Sequence, residues 1–287
     1  FMDIGSEVVI NQHWKGNLNL TMNQVKNTAF ILSQSVSGNP RFFTSDTNSY
    51  LLDAYLQNQI DDHGSLLIGV SHDHLSGNNV SDGVINTEIE TWRHTLYGQW
   101  NYHVVSDSRL TLGGQYTHTK EGDSNFSPRI MLTHSINKRH SLKMGWDEAY
   151  RSPFGLDLFV EAAFLQGNAD LTPETIRTFT LQHNFKGKGF RLSNTVYYSE
   201  QHDLIVRDES QDPVTLTNSG SVDYLGLELE YQWHVNSHWQ LEGNASYQEN
   251  ESDAGQQDIG VAPNWMLKQG ISGNWHHTQF GLYANYF

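Results

Sequence analysis

Apolar and polar residues alternate with a period of two along most of this chain, the signature of strands with two unlike faces. Leu225, Leu227, Leu229, Tyr231, Trp233 and Val235 share one face, while Gly226, Glu228, Glu230, Gln232 and His234 share the other. Trp239, Leu241, Gly243, Ala245 and Tyr247 oppose Gln240, Glu242, Asn244, Ser246 and Gln248 in the next stretch. Upstream, Leu142, Met144, Trp146 and Tyr150 oppose Lys143, Gly145, Asp147 and Arg151. The same rule holds for Leu110–Tyr116 and for Trp92–Tyr102. No segment carries an apolar stripe of helical period, so the pattern predicts an all-β chain.

The punctuation between these runs is uneven. Short polar turns are expected near 15–17, 61–64, 105–108, 137–139, 186–189, 235–238 and 275–278, which makes about seven hairpins and about 14 strands. Between them lie longer stretches rich in Gly, Asn, Ser and Asp, at about 27–48, 75–87, 152–173, 207–220 and 250–262, with a shorter one near 120–125. Tight turns at one end of a sheet and long loops at the other are the asymmetry of an antiparallel transmembrane β-barrel. Strands of about 9–11 residues suffice to cross. Trp14, Trp100, Trp233, Trp239 and Trp275 sit beside the short turns, as an aromatic girdle at a membrane boundary would. A soluble β-sandwich or propeller alternates in the same way, but a propeller would show a blade repeat, and the sequence has none.

Composition narrows the classes further. The 287 residues include 8 Trp, 13 Tyr and 13 Phe, too aromatic a chain for disorder, and no Cys, so no disulfide scaffold. Mean hydropathy is −0.56, and no apolar run approaches the roughly 20 residues of a membrane helix. A polar face lining a wet lumen reconciles that value with a membrane barrel. The net charge of −15 argues against a nucleic-acid partner. Phe1-Met2-Asp3 opens without a signal peptide, and Phe280–Phe287 alternates to its last residue, so both ends are expected to be cuts in a longer chain.

Four short motifs then follow in order: Asn125-Phe-Ser-Pro-Arg129, Tyr150-Arg151-Ser152-Pro153, the Asn168, Leu171, Pro173, Glu174 set, and Gly226-x-Glu228-x-Glu230, with Ala262-Pro-Asn-Trp265 beyond. Together they resemble the barrel of TonB-dependent outer-membrane receptors. Ala169 and Thr172 depart from the Pro and Lys usual in the third motif. The resemblance implies that residues 1–287 are part of a barrel of about 22 strands, without the plug domain and terminal strands. It implies an outer-membrane transporter for TonB-energised uptake of a scarce nutrient, a ferric siderophore or other iron complex, in a Gram-negative bacterium. The implied partners are outer-membrane lipid, the plug of the full-length chain, TonB and the iron-complex ligand. Without a plug, these residues alone are expected to give no energised transport. A passive porin or a barrel enzyme without TonB coupling is the alternative.

Candidate chemistry is sparse. Arg151 ends its strand on the polar face, where it could meet an anionic ligand or an acidic partner that fixes the loop 152–173. Tyr150, Arg151, Pro153, Asn168, Leu171, Pro173, Glu174, Gly226 and Glu228 are the motif positions, expected to be structural. Glu228 and Glu230 project into the lumen. His72 and His74, two apart on one strand face, are the only metal-ligand spacing worth weighing, and they also continue the apolar face of Leu66, Ile68 and Val70. Isolated His13, His94, His118, His134 and His183 read as interface or outer-face residues. No nucleophile constellation, Gly-rich phosphate loop or cofactor motif occurs, so neither an enzyme nor a cofactor is expected.

Overall fold

A computed structural model of the chain describes residues 1–31, 41–60, 63–81, 84–121, 124–153, 155–162, 165–256 and 263–287. The elements in order are β1 (Met2–Val9), β2 (Trp14–Ile31), β3 (Arg41–Ile60), β4 (Gly64–Ser81), β5 (Val84–Val105), β6 (Ser108–Thr119), β7 (Ser124–Ser135) and β8 (His140–Arg151). Then come α1 (Gly155–Phe159), β9 (Glu161–Ala162), β10 (Leu165–Gln166), β11 (Glu174–Lys186), β12 (Phe190–His202), β13 (Ile205–Asp208) and β14 (Val214–Asn218). Four long strands finish the order: β15 (Ser221–His234), β16 (Trp239–Ser252), β17 (Trp265–Trp275) and β18 (Thr278–Tyr286). Fourteen of the strands form one sheet in the order β1 to β8, β11, β12, β15 to β18, each antiparallel to its sequence neighbour in that order. Two excursions, between β8 and β11 and between β12 and β15, build a second sheet ordered β13-β14-β10-β9.

Register turns the alternation into continuous rows. Leu132, Met144, Leu181, Val196, Leu227, Tyr247 and Trp265 are successive cross-strand partners, as are Val70, Leu96, Tyr116 and Phe126. These apolar side chains are half exposed (Met144 55%, Leu227 51%), although a folded soluble protein would cover such a band. Lipid is the solvent that suits it. The opposite face is tied by amide and hydroxyl bonds: Thr95 to Thr117 at 3.2 Å, Thr111 Oγ1 to Asn101 Oδ1 at 2.8 Å, and Thr178 to Ser199 at 2.9 Å. Among the described residues, the buried apolar cluster lies in neither face but in the second sheet, where Leu158, Leu171 and Leu216 pack with Leu165 and Ile205.

Two expectations are corrected. The first turn falls at 10–13, not 15–17, because Asn11 Oδ1 accepts the backbone N–H groups of His13 and Trp14 at 2.9 and 3.0 Å. Asn137 and Asn236 close their turns in the same way. Gly16 instead pairs within the ladder, opposite Val8 and Leu56. The second correction concerns 27–48 and 75–87, read as loops. Apart from 32–40 and 82–83, which lie outside the described residues, both are strand: Asn27 pairs with Ser45, Thr47 with Gly77, and Asn48 with Ser76. The backbone ladder holds polar residues as readily as apolar ones, so alternation stops where lipid stops while pairing continues. At about 3.3 Å per residue, the 22 residues of β5 run far past a hydrocarbon layer of about 30 Å, even when steeply tilted. Of the remaining loops, 152–173 and 207–220 carry α1 and the second sheet, and 257–262 lies outside the described residues.

Candidate functional site

The site is built where β8 ends and β11 begins. On their outward face Arg177 Nε donates to Glu148 Oε2 at 2.7 Å, and these charges mark the upper limit of the apolar band. Three residues beyond, on the lumenal side, Arg151 grips Glu174, its cross-strand partner, with two bonds: Nε to Oε2 at 2.7 Å and Nη2 to Oε1 at 3.1 Å. Its third arm, Nη1, reaches Asp157 Oδ2 of α1 at 2.9 Å. Glu174 Oε1 also accepts the N–H of Ile205, at the start of β13, at 2.6 Å. Burial alone would raise the Glu174 carboxyl, but the guanidinium and the Ile205 amide outweigh it and hold it below its ordinary value. One guanidinium and one carboxylate thus join the rim to both excursions.

The other motif residues complete the attachment. Asn168 Nδ2 donates to the Leu216 carbonyl at 3.0 Å, and Asn168 Oδ1 accepts the Asp170 N–H at 2.9 Å. Leu171 is 4% exposed at the centre of the apolar cluster. Asn218 answers from β14: its Oδ1 takes the Thr172 N–H at 2.7 Å, and its Nδ2 donates to the carbonyls of Thr172 and Asp203, each at 2.8 Å. Pro153 is buried, and Pro173, which has no N–H to donate, stands just before β11. Tyr150 lies opposite Thr175, on the face away from Arg151. Sequence reasoning reached Arg151 and the motif set but missed Asp157, Ile205 and Asn218. Those three are brought in by the fold-back of the loops, for which alternation carries no signal.

Below this cap the lumenal wall forms a concavity of about 930 Å³ that includes Asp73, Arg93, Gln99, Gln115, Arg129 and Arg151. Arg93 and Asp73 pair at 2.8 Å, and Arg129 stands opposite Gly113 and Asp147. Thr119 Oγ1 and Ser152 Oγ, both on the lining, are buried without a hydrogen-bond partner among the described residues. The wall therefore offers guanidinium, carboxylate, amide and hydroxyl groups to a polar guest. Elsewhere on the lumenal face Gly226 lies beneath the Tyr197 ring, which spans it to reach Gln248 Oε1 at 2.7 Å. Glu228 faces Thr195 and Ser246, and Glu230 faces Ser193 and Asn244.

His72 and His74 both lie on the outward face, but they do not converge on one point. His72 turns to His94, with 3.2 Å between their Nδ1 atoms, and His74 stacks on Tyr50 with ring centroids 4.8 Å apart. His94 and His118, read as isolated, are cross-strand partners in the row that contains His72. Among the described residues no group of three or more His, Cys, Asp or Glu side chains is placed to hold a metal ion. Trp100, Trp233 and Trp239 are partly exposed beside the short turns. Nothing is described of the Trp275 side chain.

Comparison with known proteins gives a consistent picture. Residues 9–287 match the family model described as TonB dependent receptor-like, beta-barrel. An iron-regulated outer membrane virulence protein of Vibrio cholerae is 26% identical over 135 residues, covering 42% of this chain and 21% of that protein. A ferric enterobactin receptor of Pseudomonas aeruginosa is 24% identical over 154 residues, covering 48% and 20%. Among solved structures, a mutant of the ferric enterobactin receptor from Pseudomonas aeruginosa superposes with a TM-score of 0.80 at 15% identity, over 99% of this chain and 48% of that one. The ferripyoverdine receptor of the same organism gives 0.75 at 15%, over 95% and 43%. The chain spans less than half the length of these structures and matches about a fifth of the curated relatives.

Proposed function

We propose that this chain, which belongs to the TonB-dependent receptor β-barrel family, forms part of the wall and outer gate of a receptor that imports a ferric siderophore or a similar iron complex. Its place is the outer membrane of a Gram-negative bacterium. The carrying observation is the Arg151 clamp. It fixes a folded extracellular cap, with its own apolar cluster, over a polar concavity in the lumenal wall. A passive pore has less use for a cap anchored so firmly above its lumen.

In this reading the wall is rigid, the cap shapes the outer mouth, and the plug of the full-length chain closes the lumen until TonB rearranges it. The guanidinium of Arg151 is committed to Glu174 and Asp157, and that of Arg93 to Asp73, so anionic ligand groups meet Arg129 on the wall below while Arg151 holds the cap. No step here breaks or makes a covalent bond in the ligand.

The test uses the full-length gene. A deletion strain under iron limitation, supplied with single ferric siderophores labelled with radioactive iron, is complemented with the intact receptor in cells with and without functional TonB. Uptake of at least one complex that disappears without TonB supports the proposal. Uptake that persists without TonB would assign the protein to the passive class. If no iron complex enters in either background, the ligand class is wrong.

A further inference from the structure

The outward face carries a second feature that the transport reading does not use. His72 of β4 and His94 of β5 are directly opposite cross-strand partners, which places their side chains on the same face and within reach of each other. Their Nδ1 atoms share a hydrogen bond at 3.2 Å, whose proton a metal ion would displace, and their rings stack with centroids 4.7 Å apart. Imidazole nitrogens bind zinc or copper at about 2.0–2.1 Å. Two nitrogens 3.2 Å apart therefore subtend about 100° at a shared metal ion, between the square-planar and tetrahedral angles.

The surroundings favour a cation of borderline softness. Trp92 packs on His94 at 4.6 Å and on His118 at 5.7 Å, and Tyr50 packs on His72 at 5.7 Å, so aromatic rings hold the imidazoles in place. His118 continues the row, with its Nδ1 fixed at 2.9 Å from Ser124 Oγ. His74 keeps a buried Nδ1 that has no partner among the described residues. A hard cation would need converging carboxylates. Glu90, which lies 3.8 Å from His74 Nε2, is held by Lys120 at 2.9 Å.

We infer that His72 and His94 form a two-imidazole site for a divalent transition-metal ion of the zinc or copper class on the outer wall of the barrel, its remaining positions filled by water. The site ties β4 to β5 on the outward face at the edge of the apolar rows, where Leu52 is the partner of His72 on β3. A second imidazole pair, His140 and His183 at 3.0 Å, sits near the short turns, but no further imidazole adjoins it in the described contacts, whereas His118 continues the row of His72 and His94. It serves as the internal control.

The experiment takes the full-length receptor in detergent, stripped with a chelator and titrated with Cu²⁺ and with Zn²⁺ alone. Copper electron paramagnetic resonance should show one equivalent with two-nitrogen coupling, and calorimetry should show Zn²⁺ binding at the same stoichiometry. His72→Gln with His94→Gln should weaken both at least tenfold, whereas His140→Gln with His183→Gln should leave them unchanged. Because the wild-type spectrum is read first, the result does not depend on the variants folding. A spectrum without two-nitrogen coupling, or binding that survives loss of His72 and His94, would overturn the site.

Discussion

Glu174 keeps a charge although only 8% of its surface is exposed, and it can do so because Arg151 and the Ile205 N–H surround its two oxygens. Removing the guanidinium would strand the carboxylate. Breaking a fully buried pair costs about 3–5 kcal/mol. The Arg151 side chain is half exposed, so solvent screening lowers the expectation for Arg151→Ala to about 1–2 kcal/mol. The cap should loosen before the sheet does. In whole cells expressing the receptor, an added protease should then cut within 203–220 faster than in the wild type, while heat-resistant mobility of the barrel on gels stays unchanged. Adding Glu174→Gln to Arg151→Ala should recover part of the loss, because the stranded charge is gone. The pH dependence follows from the same pair. A carboxyl held below its unfolded value contributes stability that is present above that value, about 4.3, and fades as pH falls through the folded one. Protease protection of the cap should therefore hold from neutrality to about pH 5 and weaken below pH 4. Glu174→Gln should flatten that acid limb. Of this site, the lumenal direction of Arg151 was legible from alternation, and its neighbours by motif. Asp157 and Asn218 were not, because their roles arise only when two loops fold back on each other.

At the level of strands, one device recurs. Tyr97 of β5 lies over Gly69 of β4 and reaches Asp53 of β3 at 2.7 Å, just as Tyr197 of β12 lies over Gly226 of β15 and reaches Gln248 of β16. A glycine in the middle strand lets a tyrosine cross it and tie three strands together on the lumenal face. This gives the motif glycine at 226 a physical reason: a Cβ there would fall on the Tyr197 ring. Gly226→Val should cost about 1–3 kcal/mol through overpacking and lost bonding. Tyr197→Phe, which removes only the hydroxyl, should cost about 1 kcal/mol. Thermal unfolding of the full-length receptor in detergent separates the two, and equal losses would show that the ring's position does not matter. The turns teach a related lesson about legibility. Gly16-Asn17 looks like turn chemistry, yet Asn11 decides the hairpin, since its side-chain oxygen captures two backbone amides that the turn leaves free. Glycine within a strand and glycine in a turn look alike until the register is known.

Taken as a whole, the molecule is a wall with an unequal top. β2 to β5 contain 18, 20, 18 and 22 residues, against 12 in each of β6 to β8. The second sheet stands instead above the β8–β11 and β12–β15 edges. One part of the rim is raised by continued strand pairing and another by a folded cap with its own core. The alternation made the all-β class, the strand number and the two ends legible, because lipid and lumen impose different chemistry on alternate residues. It fell silent above the membrane, where both faces of Lys26, Asn27, Ser45 and Asp46 meet water and the period no longer carries information. Because residues 1–287 contain no Cys, cysteines introduced into them allow a direct check of this arrangement. Single cysteines placed at Asn27, at Thr47 and in the cap at Ser210 should react with a membrane-impermeant maleimide on intact cells. Cysteines at Ser237 or Lys138, in the short turns, should react only after the outer membrane is permeabilised. Thr47 is the decisive position, because the pairing puts it opposite Val25 and Gly77 in a strand that continues beyond the apolar band. Labelling there without labelling at Ser237 requires that strand to rise clear of the lipid. Protection at Thr47 together with exposure at Ser237 would invert the sheet in the membrane and place the Arg151 clamp on the periplasmic side, where it could not gate an external ligand.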